Sequence, residues 1–357
     1  MAAPLGDLVT CYPDAPGLPT LSGIGPGVVL PTVPGSAYAL RRTSPGPDPP
    51  GVVSLVFQPG AAPTSGKIVF GGGGAPPPAV PSIHVVDGVG TTGNVADNNL
   101  YNASANSWSA RAPDFLSRHG LGAGVVGSRL YAFQGLTTLN VKATTAYDPT
   151  ANTWSAKAST LGARRSMAAA ATASRVYGFD GYGTAVLPLA SSYDPTTNSW
   201  NSRALDTTAR YRLPAARVGI KVYVIDGRTS TYVALNHAYD TSTNTWSTKA
   251  SDTTARSVPA AGAVGSSVYV VGGFDGALLS TNNAYDPAAN TWATKAADTT
   301  ARAGAIGAVT HSKLYVVDGS GVSGPSTPNH AYDPLTNTWT TLAPDLTARS
   351  TAAAGVV

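Results

Sequence analysis

The chain has 357 residues, 23 Lys or Arg against 19 acidic residues, and a formal charge of +4. Its basic residues are scattered, with Arg41–Arg42 and Arg164–Arg165 the only adjacent pairs, which is a poor footprint for nucleic acid. One cysteine, Cys11, and no run of about 18 apolar residues exclude an intrachain disulfide, a cysteine-rich metal site and a membrane-spanning helix.

Every acidic residue is Asp and none is Glu, so any acid–base pair must be built from Asp, His, Tyr or Lys. The helix formers of exposed surfaces are scarce, while Thr, Val and Tyr suit strands, so an all-β protein is expected. The opening "MAAPLGDLVT" has neither a basic region nor an apolar core. No secretory signal is read there, and a cytoplasmic protein or a component of a virion or other assembly is expected.

Residues 1–80 are rich in Pro and Gly and carry no repeat. "GVVSLVF" (51–57) and "GKIVFGG" (66–72) read as a hairpin around "QPGAAPTS". An arm or small β-module is expected, joined through Pro76–Pro78, either as a flexible tail or as an element that anchors the chain to a larger assembly.

From residue 81 the chain becomes periodic. The six tryptophans, Trp108, Trp154, Trp200, Trp246, Trp292 and Trp339, are spaced 46, 46, 46, 46 and 47 residues apart. A tyrosine lies seven residues before each and an arginine ten residues after each. Each unit reads as four short strands. In the unit from Arg256 these are "RSVPAAGAV", "SSVYVVGG", "TNNAYD" and "TWATKA", with the turn Asp286–Pro287–Ala288–Ala289–Asn290 closing the last hairpin. Four antiparallel strands per unit, six times over, predict a six-bladed β-propeller over 81–357. "SIHVVDGVG" (82–90) is a second strand without a first, and "RSTAAAGVV" at the end is a first strand without a second. Residues 349–357 should therefore complete the blade begun at 82.

The order of small-residue strand, "VYVVGG", "AYDP..NTW" and "AR" resembles the kelch repeat over about 82–357. One departure stands out. Only the Gly272–Gly273 unit keeps the diglycine, and Asp87, Gln134, Asp180, Asp226 and Asp318 take the place of its first glycine elsewhere. In kelch proteins that recognise acidic peptides, arginines at the equivalent place contribute to the binding face. The resemblance thus points to Arg118 and Arg256, which face Gln134 and Gly272 rather than an Asp. The other arginines are expected to pair within their blades, as Arg164–Asp180, Arg210–Asp226, Arg302–Asp318 and Arg349–Asp87. Asp114, Asp206, Asp252, Asp298 and Asp345, four residues before their arginines, could also pair.

The variable loops "FQGLTTLNVKATT" (133–145), "FDGYGTAVLPLASS" (179–192) and "IDGRTSTYVALNH" (225–237) add Tyr182, Arg228 and Tyr232 as candidate ligand-binding residues. His119 follows Arg118 to the same rim. His237 and His330, before "AYD", read as tolerated surface positions. No metal site is expected, since a ring spreads the four unit-end aspartates too far apart, and no cofactor is implied. Neither a Ser-His-Asp elbow, HExxH nor a phosphate loop is present. Kelch-type copper radical oxidases need a cysteine joined to a tyrosine, and Cys11 lies outside the repeats. Kelch-like sialic acid epimerases use charged residues including Glu, which this chain lacks. The expectation is a non-enzymatic binding or scaffold protein whose rim recognises a protein or glycan. The alternatives are a virion or cell-surface attachment protein held by its N-terminal arm, or an enzyme acting on a sugar.

Overall fold

The structure is a computed structural model that describes residues 81–357 and two short strands, Cys11–Pro13 and Tyr38–Leu40. Those two strands pair antiparallel. The hairpin expected over 51–72 lies outside the described residues. The chain divides into two units, Met1–Ala79 and Val80–Val357.

The second unit is a ring of six four-stranded antiparallel sheets. Blades two to six span 122–157, 168–203, 215–249, 260–295 and 306–342. The first blade is assembled from both directions of the chain. Its inner strand is Ala353–Val356, which pairs with Ser82–Val86, followed by Asn98–Asn102 and Ser107–Arg111. Val356 stands opposite Ile83, and Ser82 and Val357 exchange backbone hydrogen bonds of 2.9 and 3.0 Å. The closure expected from the two orphan strands is the one observed.

Small residues make the inner strands because the blades converge there. A Cβ on Gly307 would lie 2.1 Å from the carbonyl oxygen of Ala261 in the neighbouring blade. Just before each inner strand, one residue per blade adopts positive φ: Gly120, Ser166, Arg212, Val258, Gly304 and Thr351. Each of these donates its backbone N–H to the carbonyl of the one before, at 2.6–2.8 Å, and Gly120 donates to Thr351. Six amides thus form a closed hydrogen-bonded loop around the axis.

Between blades, the phenols of the third strands are buried: Tyr101, Tyr147, Tyr193, Tyr239, Tyr285 and Tyr332 are at most 1% exposed. Each packs on the Trp opposite it in its own hairpin, as in Tyr101–Trp108 with centroids 4.9 Å apart. Burial of such rings is a large share of the stabilisation.

The repeated arginines are the largest buried side chains of the propeller. This corrects two expectations. Arg118 and Arg256 are 0% exposed and are not rim donors. Arg118 binds Asp87 at 3.1 Å and Asp114 at 3.0 Å; Arg256 binds Asp226 at 3.0 Å and Asp252 at 2.6 Å. The expected pairs within blades also shift by one blade. The residue 16 positions on meets its arginine through its backbone carbonyl, as Asp226 does with Arg210 at 3.0 Å. Its side chain belongs to the next arginine: Asp87 to Arg118, Asp226 to Arg256 and Asp318 to Arg349. The cause is local geometry. Asp87, Gln134, Asp180, Asp226, Gly272 and Asp318 all sit at positive φ, between 56° and 65°, which turns the side chain toward the following blade. Asp tolerates that conformation with a short polar side chain.

The second carboxylate set pairs as anticipated, with Arg118, Arg210, Arg256, Arg302 and Arg349 each bound to the Asp four residues before. Each of those aspartates takes a further bond from the third strand of the blade: Thr145, His237, Asn283, His330 or Asn99. His237 and His330 are accordingly buried, 3% and 4% exposed, rather than surface positions. Their imidazoles cap Asp206 and Asp298.

Arg164 departs from this pattern. The residue four positions before it is Thr160, and the residue facing it from the preceding blade is Gln134. It is 2% exposed and bonds only the Gly178 carbonyl at 3.0 Å and the Ser191 hydroxyl at 3.2 Å. Burial lowers its pKa to about 10, against a partial opposing effect from Asp180.

Candidate functional site

Two faces are available on the ring. One carries the hairpin turns within blades, with the sequence Asp-Pro-x-x-Asn in four of the six. The other carries the connections between blades and the loops between second and third strands, where sequence varies most from unit to unit. On this rim face the residue after each buried arginine pairs, by isolated β-bridges, with the loop of its own blade: His119 with Leu136, Arg165 with Tyr182, Tyr211 with Arg228 and Ser257 with Phe274. The rigid arginine clasp beneath therefore fixes the position of each variable residue above it.

Side chains gather there into one band. The Arg165 guanidinium lies 4.8 Å over the Tyr182 ring, and Arg228 lies 5.1 Å over Tyr232. Tyr182 and Tyr211 pack with centroids 5.4 Å apart, and Arg212 lies 5.7 Å from the Tyr211 ring. Tyr232 meets Phe274 edge-on at 6.0 Å. The band runs across blades three to five. Arg165, Arg212 and Arg228 have no carboxylate within ion-pair distance among the described residues. Cation–π contacts of this kind each contribute about 0.5–1 kcal/mol at exposed sites, enough to pre-arrange the guanidiniums without neutralising them.

The sequence-predicted residues divide between core and rim. Tyr182, Arg228 and Tyr232 lie in the band, half-buried. His119 lies beside it, half-buried, its Nδ1 2.7 Å from the Asn94 side chain. Burial lowers the His119 pKa, and the charges of Arg165 and Arg212 lower it further. Arg118 and Arg256 lie beneath the face, in the clasps. Sequence reasoning missed Arg165, Tyr211, Arg212 and Phe274. For Arg165, Tyr211 and Arg212 the available signal was that the positions directly after the invariant arginine vary from unit to unit.

At the centre, a cavity of about 100 Å³ is lined by two residues per blade, among them Arg212, Met167, Leu213 and Pro259. Pockets for small ligands and cofactors span about 300–1,000 Å³, so this hollow is too small for one. Among the described residues, no group of three His, Cys, Asp or Glu is placed to hold a metal ion. No helix among them is long and apolar enough to cross a membrane.

Further from the axis the rim face is basic. The last residue of the outer strand is Arg111, Lys157, Arg203, Lys249 or Lys295 in five consecutive blades, and Leu342 in the sixth. Lys142 stands in the loop of the second blade.

The profile of the Kelch motif matches residues 255–296, the unit that forms the fifth blade. No curated protein sequence matches the chain. A solved structure titled "Structure of YjhT" is similar over 74% of this chain and 98% of that one, with a TM-score of 0.64 and 14% sequence identity. At that identity the likeness is one of fold.

Proposed function

Since this chain is a kelch-repeat β-propeller, we propose that it is a non-enzymatic recognition protein that holds a protein or glycan partner on its rim face. One observation carries the reading: three guanidiniums, stacked on tyrosines and left without carboxylate partners, are displayed on loops fixed by a rigid ring. Tyr and Arg are the side chains most enriched at energetic centres of interfaces. The small axial cavity argues for recognition on the surface rather than turnover in a pocket.

The test is a comparison of the native chain with a Tyr182→Ala/Arg228→Ala/Tyr232→Ala variant on a glycan array and in pull-downs. The expected result is a ligand held by the native chain and lost by the variant, with an unchanged melting temperature. Equal capture by both would remove the rim face from consideration.

A second reading, an attachment protein of a virion or cell-surface assembly, gains support from chain direction. Ser82 and Val357 pair at the end of the first blade remote from Asp87 and the rim. The first strand of the propeller in chain order thus begins at the end of its blade away from the candidate face. Immobilising the chain by its N-terminus should then leave rim binding intact, and loss of binding on that surface would count against this reading.

A further inference from the structure

Surface charge is divided between the two faces. On the turn face, the five turn aspartates from Asp148 to Asp333 are matched by five cations, and three of these pair with them at 2.8–3.2 Å. On the rim face, among the described residues, nine cations outside the clasps stand against Asp97 and Asp275, above buried clasps that hold six arginines and nine aspartates. Among the described residues, exposed positive charge is therefore concentrated on the rim face. Such a field raises the local concentration of an anionic partner and steers it to one face.

The cations are also ordered. Arg111, Lys157, Arg203, Lys249 and Lys295 repeat once per blade along an arc, and Arg165, Arg212 and Arg228 lie inside it. The sixth blade breaks the arc with Leu342, and its inner rim offers Ala303 and Ser320. A single compact anion would use one cluster; cations spread over five consecutive blades suit an extended anionic chain.

The tyrosines narrow the class. Single-stranded nucleic acid binds by stacking its bases on open aromatic faces. Here Tyr182 and Tyr232 each have a guanidinium over the ring and a second aromatic against it. The rings orient the arginines, and Arg165 also donates one Nη1 bond to Asn140 Oδ1 at 2.9 Å; the remaining donors suit carboxylate or sulfate oxygens.

Resting on the reading of the rim as a binding face, we propose that its partner is an acidic polysaccharide, a polymer carrying carboxylate or sulfate at regular intervals, laid along the arc of blades one to five.

The full chain is tested against immobilised heparin, polygalacturonate, neutral dextran and oligothymidylate at low and physiological salt. Binding to heparin or polygalacturonate, absence on dextran and weakening with salt are expected, and the stronger of the first two identifies sulfate or carboxylate as the group read. Two triple variants remove the same charge: Arg165→Ala/Arg212→Ala/Arg228→Ala on the rim, and Arg129→Ala/Lys221→Ala/Lys313→Ala on the turn face. The first should weaken binding about tenfold or more, the second little, since lost contacts and not net charge are decisive. Three results would each overturn the proposal: no binding to either acidic polymer at low salt, equal loss in both variants, or tighter binding of oligothymidylate. If it is overturned while the Tyr182/Arg228/Tyr232 variant still loses some other ligand, the rim remains the binding face and only the polymer is wrong.

Discussion

Trp154 donates its indole N–H to the carbonyl of Ala112 at 2.8 Å, across the joint between the first and second blades. Asn152 takes the amide proton of the same Ala112 at 2.9 Å and the phenol proton of Tyr147 at 2.7 Å. The arrangement recurs at all six joints, and Trp108 with Asn106 closes the ring onto Ala343. Asn152 holds this position at φ 53°. Trp154→Phe should cost about 1 kcal/mol, since one bond is lost while the Asn98 amide still donates to the Ala112 carbonyl at 3.3 Å. Asn152→Ala should cost about 2 kcal/mol or more, because it loses two bonds and places alanine in the left-handed region. Urea unfolding of the two variants checks both.

The buried arginines should respond unequally to substitution. Arg118→Ala would strand Asp87 and Asp114 in the interior, and breaking a buried pair this way costs about 3–5 kcal/mol. Arg164 is hydrogen-bonded to no carboxylate, and Asp180 keeps Arg210 at 3.7 Å when Arg164 is removed. Arg164→Met is expected to leave stability within about 1 kcal/mol of the native value or to raise it. A melting series on Arg118→Met and Arg164→Met decides the point, and equal losses would show that packing rather than pairing governs the clasps.

Protonation should stabilise one set of aspartates and destabilise the other. Burial, reinforced by the Asp252 carboxylate, raises the Asp226 pKa well above its usual range despite Arg256. Its contribution is therefore fully present below the unfolded value of about 4 and declines as pH rises through the folded one. Asn mimics the protonated form and accepts positive φ. Asp226→Asn should match the native chain near pH 4 and gain on it progressively toward pH 9. Asp206 behaves in the opposite sense. Burial would raise it, but the bonds from His237 and Arg210 prevail and hold it at about 2. Its contribution is present above about pH 4 and is lost as pH falls toward 2. Asp206→Asn should remove part of that acid limb in melts recorded across this range.

The closing strand should be indispensable. Deleting residues 353–357 exposes the edge of Ser82–Val86, with the buried Ile83 and Val85 beside it. Unpaired edges of this kind invite intermolecular pairing. Size-exclusion chromatography is expected to show aggregates where the full chain elutes as a discrete species.

Much of this fold was written in the spacing of Trp, Tyr and Arg. A fixed interval gave the blades, and two orphan strands gave the closure. Partner choice between blades was not legible in the same way. A residue 16 positions ahead of an arginine and one 30 or 31 positions behind it both reach the clasp, one with its carbonyl and one with its side chain. Only the positive φ at Asp226 and its equivalents decides which. The rim was partly legible. Tyr182, Arg228 and Tyr232 sit in loops that look variable, whereas Arg165, Tyr211 and Arg212 sit in connections that read as strand starts. His237 and His330 read as exposed because their place is taken by Asn or Ser in other units, while the Asp beneath each supplies a buried partner.

The six axial amides have a consequence for how such a chain changes. Units this alike are easily gained or lost by unequal exchange between copies. Yet each amide in the loop already has its donor and its acceptor, and the last is answered by the first. A seventh member would have to break that circle and recruit new partners at the most crowded point of the molecule. The number of blades is thus counted from the inside, by the backbone, and not by the length of the gene.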